Sequence, residues 1–149
     1  MTLREQKIVR EARTWVGTPY RHQASVKGQG CDCLGLLRGV WRGVIGEEPE
    51  AVPTYTADWS EVGHNERLWA AAGRNMATVE LDPEHAGQVV LFRMRKGHVA
   101  KHLGILAGSE VGFATVIHAY TGRGVIETPL TQAWVRKIVA QFQFPQKGK

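Results

Sequence analysis

Gly28-Gln29-Gly30-Cys31-Asp32-Cys33-Leu34-Gly35-Leu36 is the stretch on which the fold of this chain turns. It reads as a glycine-rich loop running into a helix with a cysteine at the junction. From Leu36 the apolar residues fall at Leu36, Leu37, Val40, Trp41, Val44 and Ile45, a helical stripe and not a strand alternation. Asp32 is placed to cap that helix, its carboxylate accepting a bond from an orphan amide of the first turn. Cys33 then lies in the first turn, where unpaired amides and the positive end of the helix dipole favour a thiolate. With other positive groups nearby, such a position lowers a cysteine pKa from about 8.5 to roughly 3.5–7.5. The competing reading of Cys33 is a small buried hydrophobe at a helix start.

The helix so begun spans about Cys33 to Ile45, with Gly35, Gly39 and Gly43 four residues apart along it. Each glycine costs about 1 kcal/mol relative to alanine, so the stripe predicts one helix face pressed against another backbone. Arg38 and Arg42 interrupt it and exclude a membrane dimerisation face. Upstream, Thr2 to Val16 reads as an amphipathic helix with capping-box spacing at Thr2 and Glu5. Ile8, Val9, Ala12, Trp15 and Val16 form its inner face and Gly17 its stop. Thr18-Pro19-Tyr20 must turn or extend, because proline disfavours helix in the residue before it. Arg21 to Gly30 reads as polar loop.

Downstream, Glu47 to Trp59 reads as irregular, Asn65 to Met76 as a helix with Leu68, Trp69, Ala72 and Met76 inward, and Asp82 to Gly87 as a turn. The period then changes. Val89–Met94, His102–Leu106, Ala114–Tyr120 and Val139–Phe144 are short β-type runs. Gly122-Arg123-Gly124 returns the third run as a hairpin through Val125-Ile126-Glu127, and Gln132 to Lys137 reads as a short helix. Helices first and strands later predict an α+β fold, helices packed on a mostly antiparallel sheet. With 149 residues and no internal repeat or linker, one domain over 1–149 is expected.

Hydrophobic content of 43% and charged content of 22% are ordinary for a globular chain. Lys and Arg number 19 against 14 Asp and Glu, a formal charge of +5 that favours anionic partners. The basic residues are scattered and no nucleic-acid motif is present, so no specific nucleic-acid binding is expected. Cys31 and Cys33 are too close for a disulfide framework and read as reduced thiols. No apolar run approaches a membrane span, and Met1–Lys7 lacks the apolar core of a signal peptide.

A thiolate nucleophile needs a nearby base, and the base needs an orienting partner. Of six histidines, His64 and His85 lie in polar contexts, His22 in the loop before the cysteine and His98 in a Gly- and Lys-rich turn. His102 opens the strand His102-Leu103-Gly104-Ile105, and His118 is embedded in Thr115-Val116-Ile117-His118-Ala119-Tyr120. Two histidines on successive strands can face one helix N-terminus, one as base and one fixing its tautomer. The rival use of Cys31, Cys33, His98 and His102 is a zinc site. Structural zinc favours C-x2–4-C, and the C-x-C here falls short of it, so no metal or cofactor is expected.

Gly17-Thr18-Pro19-Tyr20, Cys31-Asp32-Cys33-Leu34-Gly35-Leu36, His102-Leu103-Gly104-Ile105 and Ile117-His118-Ala119 together resemble the NlpC/P60 cysteine peptidases. The resemblance runs from the first helix to Phe144 and is closest to the subgroup carried by phage tails and gene transfer agents. It implies a papain-like α+β fold. Cys33 matches the nucleophile of the family's Asp-Cys-Ser-Gly motif, His102 the general base and His118 the member that orients it. Tyr20 matches a tyrosine lining the site near the oxyanion, and Asp32 an acid that binds the amine end of a peptide stem. The implied substrates are peptidoglycan stem peptides, often cut after γ-D-glutamate.

This chain departs from the pattern at His22-Gln23-Ala24, where Trp-Gly-Gly is usual, at Leu34, where serine is usual, and at Gly87-Gln88, where Gly-Asp often starts the first strand. The resemblance implies a protein made in the bacterial cytoplasm without a signal peptide and carried in a phage-like tail. Its partners there are hub or baseplate proteins, and it acts in the periplasm or cell wall of the recipient. The alternatives are an inactive structural adaptor of a tail tip, and an amidase or acyltransferase on the same fold.

Overall fold

Thr2 caps the first helix in both directions. Its hydroxyl accepts from Glu5 N at 3.1 Å, and its own N–H donates to Glu5 Oε1 at 2.8 Å. The computed structural model describes residues 1–50 and 66–146. Helix α1 is Leu3–Arg13 and buries Ile8, Val9 and Ala12. It stops short of the expected Val16, which is 46% exposed, while Trp15 stays buried. The early exit has a cause: Gly17, at φ +95°, donates its N–H to Val125 O at 3.0 Å, drawing the chain off the helix axis.

The expected loop from Arg21 to Gly30 carries a small ribbon, β1 (Ser25–Val26) against β2 (Gly30–Cys31). Tyr20 bridges to Cys31 from the other side. This ribbon delivers the chain to α2, Cys33–Val44, which buries Leu36, Leu37, Val40 and Trp41. Gly35 and Gly39 face inward while Gly43 is exposed, and of the three only Gly35 meets another backbone as the spacing predicts. A Cβ on Gly35 would overlap the Ala24 carbonyl, one on Gly39 the Trp15 ring, and one on Gly43 the Glu11 side chain. Glycine therefore lets α2 lie flush on α1 and on the loop that precedes it.

Helix α3 is Arg67–Asn75, with Leu68, Ala72 and Met76 buried and Trp69 packed against the core edge. Of the expected irregular segment, positions 51–59 lie outside the described residues, as does His64. Strands β3 (Ala77–Val79), β4 (Val89–Phe92), β5 (His102–Gly108), β6 (Thr115–Tyr120), β7 (Gly124–Pro129) and β8 (Ile138–Gln143) build one sheet, with α4 (Gln132–Val135) before β8. The order is β3-β8-β4-β5-β6-β7, antiparallel throughout. This is the α+β arrangement that the sequence predicts.

The sheet has two buried faces. On one, Val89, Leu91, Leu103, Ile105, Ile117 and Phe142 join the core that α1, α2 and α3 close. On the other, Val90, Phe92, Leu106, Val116 and Ile138 pack with Met94, Leu130 and Trp134. Burial on both faces explains why β5 reads as a continuous apolar run and not as an alternation. No helix among the described residues is long and apolar enough to cross a membrane.

Candidate active site

Asp32 caps α2, its Oδ1 accepting from Gly35 N at 2.7 Å. Its Oδ2 accepts from Gln23 N at 2.8 Å and lies 3.9 Å from His22 Nδ1. The carboxylate is 3% exposed and holds the Gln23 turn, φ +66°, onto the helix start. The cap sets Cys33 at the first helical position, against the strand that carries the first imidazole.

The Cys33 thiol donates to the Lys101 carbonyl at 3.5 Å, and the Leu103 N–H points back at the sulfur. The sulfur thus sits on β5 backbone flanking His102. The β5–β6 register begins at Ile105↔Ile117, so Leu103 lies outside that ladder and its amide is left to the sulfur. Cys33 keeps partial solvent access. Even so, burial pushes its thiol up to about 12, and the Asp32 carboxylate adds to the effect. The N–H groups of Leu103, Leu34 and Cys33 pull the other way without overcoming it. This corrects the expectation of a resting thiolate. The helix-start amides do face the sulfur, but desolvation and the neighbouring carboxylate outweigh them. Cys31 is fully buried and also pushed up to about 12, by burial first and Asp32 second.

His102 and His118 come together, as successive strands allow; the rings bond to each other and to Thr128 and pack with Phe92 and Trp134 on the sheet face away from α2, while the Cys33 thiol bonds to the Lys101 carbonyl. His102 Nε2 and His118 Nδ1 are 2.8 Å apart, and His118 Nε2 is 3.1 Å from Thr128 Oγ1 on β7. His118 therefore occupies one ring nitrogen of His102, and Nδ1 is the other. Gly104 keeps the sheet close beside the pair, since a Cβ there would overlap Val116 and crowd Phe92 while only touching His118. Burial holds His102 down at about 3, helped by His118, and burial alone holds His118 down at about 4. Both rings are neutral near pH 7.

Four aromatic contacts close this cluster. The Trp134 ring centroid is 5.0 Å from His118 and 6.0 Å from His102, and those of Tyr120 and Phe92 are 5.9 and 5.6 Å from His102. The sequence reading places neither Trp134 nor Thr128 at the site. Trp134 sits on a four-residue helix, and the diagonal from β6 to β7 that brings Thr128 to His118 emerges only from the register.

Tyr20 stands on the Cys33 side of the site. Its hydroxyl bonds to Thr121, and burial, with smaller contributions from Cys33, Asp32 and Cys31, raises its pKa. An apolar cavity of about 320 Å3 between α2 and α3 reaches Leu34 and Leu103, the residues that follow Cys33 and His102. His85 belongs elsewhere, paired with Glu5 at 2.8 Å. The histidines and cysteines of the zinc reading do not gather, since His102 turns to His118, and no group of three or more ligating side chains able to hold a metal occurs among the described residues.

Three comparisons bear on this geometry. No curated protein matches the chain. Among solved structures, a Staphylococcus aureus subsp. aureus Mu50 protein described as "similar to lipoprotein, NLP/P60 family" superposes with a TM-score of 0.59 at 19% identity, over 97% of this chain and 42% of that one. Ly7917 superposes with a TM-score of 0.60 at 15% identity, over 95% of this chain and 62% of that one. Ly7917 "with the hydrolyzing product of MDP" gives 0.58 at 19%, over 95% and 63%. This chain thus spans less than two thirds of each of these proteins, and the likeness is one of fold. The family model described as "NlpC/P60 family" matches residues 17–143, from the glycine that ends the first turn to the end of β8, and the chain belongs to that family.

Proposed function

We propose that this chain is a cysteine peptidase that hydrolyses amide bonds of peptidoglycan stem peptides, of the γ-D-glutamyl endopeptidase type. The observation that carries the reading is the Cys33 sulfur resting on the β5 backbone at Lys101 and Leu103 while His102, between them, is held through Nε2 by His118. NlpC/P60 proteins are generally cysteine peptidases or amidases acting on peptidoglycan, and one structural neighbour is described with the hydrolysing product of MDP.

In this mechanism the thiol turns from the Lys101 carbonyl towards His102. His102 Nδ1 takes the proton as sulfur attacks the amide carbonyl, and the tetrahedral oxyanion is met by helix-start N–H groups with Tyr20 alongside. His102 then gives the proton to the leaving amine, forming a thioester that water hydrolyses. Deprotonation is coupled to attack and does not precede it, which fits a neutral resting thiol. The buried Asp32 carboxylate attracts the amine end of the stem peptide as well as capping α2.

The resemblance to the subgroup carried by phage tails and gene transfer agents supports delivery by a phage-like particle. The protein would be made in the bacterial cytoplasm, held by hub or baseplate proteins, and would act in the recipient's periplasm or cell wall. The net charge of +5 suits an anionic wall. The second reading, an inactive tail-tip adaptor, is favoured by Leu34 and by the His22-Gln23-Ala24 loop, where the family pattern is altered. Mass spectrometry of defined muropeptides incubated with purified protein decides. Release that is lost in Cys33→Ala and His102→Ala but kept in Cys31→Ala supports the peptidase. No release by the wild-type protein, with normal DNA delivery by Cys33→Ala particles, establishes the adaptor.

A further inference from the structure

The ring nitrogen of His118 that faces away from His102 is not idle: it stands 3.1 Å from Thr128 Oγ1. We propose that Thr128 is a positioning residue that accepts the His118 Nε2–H and so holds the imidazole pair in the tautomers that keep His102 Nδ1 able to take a proton. The inference rests on the peptidase reading for its catalytic meaning, though not for its geometry.

The 2.8 Å contact between the rings carries one proton, and it can point either way. If His118 Nδ1–H donates, His102 accepts at Nε2 and carries its proton on Nδ1, leaving no lone pair for the thiol. If His102 Nε2–H donates, His102 Nδ1 is a base and His118 carries its proton on Nε2, aimed at Thr128. A hydroxyl can serve both arrangements at rest. It cannot serve both once His102 has accepted the thiol proton, because the imidazolium then has N–H at both positions and needs an acceptor at His118 Nδ1. Only the arrangement in which Thr128 accepts survives that step, and no proton leaves His118 during it. Among the described residues, the other groups beside the rings make ring contacts: Trp134 with His118, Phe92 with His102, and Tyr120 with its centroid 5.7 Å from that of His118. His118 is 1% exposed, so solvent does not readily replace the hydroxyl.

The test uses the full chain with Thr128→Val, which keeps the branched shape but removes the acceptor, and Thr128→Ser, which keeps it. On muropeptides, Thr128→Val is expected to lower kcat about 10- to 100-fold with KM little changed, and Thr128→Ser to stay within about threefold of wild type. Independently of any substrate, histidine 13C/15N NMR is expected to show His118 as the Nε2–H tautomer in wild type and Thr128→Ser, and displaced from it in Thr128→Val. Wild-type His118 protonated on Nδ1, or Thr128→Val retaining either the wild-type tautomer or the wild-type kcat, overturns the proposal. If the wild-type protein releases nothing from muropeptides, the peptidase reading falls and the NMR result alone decides the role of Thr128.

Discussion

His102 and His118 share one hydrogen bond at 2.8 Å inside a shell of Phe92, Tyr120 and Trp134, and both are held neutral well below the ordinary histidine range. An unfolded chain binds a proton at each ring near pH 6.5, whereas the folded chain resists until about 3 at His102 and about 4 at His118. The unfolded state therefore binds more protons across that window. The stability these groups contribute is complete above pH 6.5 and is lost as pH falls towards 4 for His118 and towards 3 for His102. Urea unfolding at pH 7 and pH 5 is expected to differ by roughly 2–4 kcal/mol, most of it arising before the carboxylates titrate. Equal midpoints at the two values would mean that the rings are open to protons in the native state.

The thiol supplies the opposite limb. With Cys33 pushed up to about 12 by burial and then by Asp32, its alkylation by iodoacetamide is expected to be slow at pH 7.5 and still rising above pH 9. Asp32→Asn removes the second cause while an amide oxygen can still cap Gly35, so its alkylation profile is expected to shift to lower pH. Peptide mapping should place the label on Cys33 ahead of the fully buried Cys31. A thiol that reacts fully at pH 6 would restore the resting thiolate that the sequence alone suggests.

That reversal shows where local reading of this chain stops. The Asp32 cap, the start of α2 and the inward-facing Gly35 and Gly39 were legible because each depends on residues within one or two turns. The pairing of His102 with His118 was legible because two strands with a short connection lie side by side. The thiol's state was not, because the burial that sets it comes from β5 meeting α2 across the fold. The two-residue ribbon Ser25–Val26 and Gly30–Cys31 is too short to show a period. Strand β3 pairs along Ala77↔Gln143 to Val79↔Gln141, and two of its three residues are exposed, so it carries little apolar signal.

Packing at Gly39 gives a stability test that is independent of the chemistry. Trp15 is 2% exposed, and its ring lies where a Gly39 Cβ would stand. Alanine brings a helix-propensity gain of about 1 kcal/mol, against an overpacking cost of typically 1–3 kcal/mol. Gly39→Ala is expected to lower the melting temperature slightly and Gly39→Leu by far more, since a leucine must displace the ring altogether. Gly73, whose added Cβ meets nothing within 4 Å, is the control, and Gly73→Ala should be neutral or stabilising. Equal shifts for alanine and leucine at position 39 would show that α1 and α2 are not in close contact there.

Trp134 links the shell to the acid behaviour. Its indole stacks edge-on to His118 at 5.0 Å and also approaches Phe92 at 5.1 Å, covering the imidazole pair from the face of the sheet opposite α2. Replacing it with alanine admits water to both rings, and hydration favours the imidazolium that burial now suppresses. Trp134→Ala is thus expected to raise both histidine pKa values towards the ordinary range. It should flatten the stability loss between pH 7 and pH 5 and make the pair more readily protonated in weak acid. Trp134→Phe, which keeps an aromatic cover, should preserve most of the wild-type profile. Histidine NMR titration reads the shifts directly, and the unfolding series reads their consequence. If Trp134→Ala destabilises equally at every pH and leaves both titrations in place, the indole is packing alone, and the desolvation of the rings arises from Phe92, Val116 and the neighbouring strands.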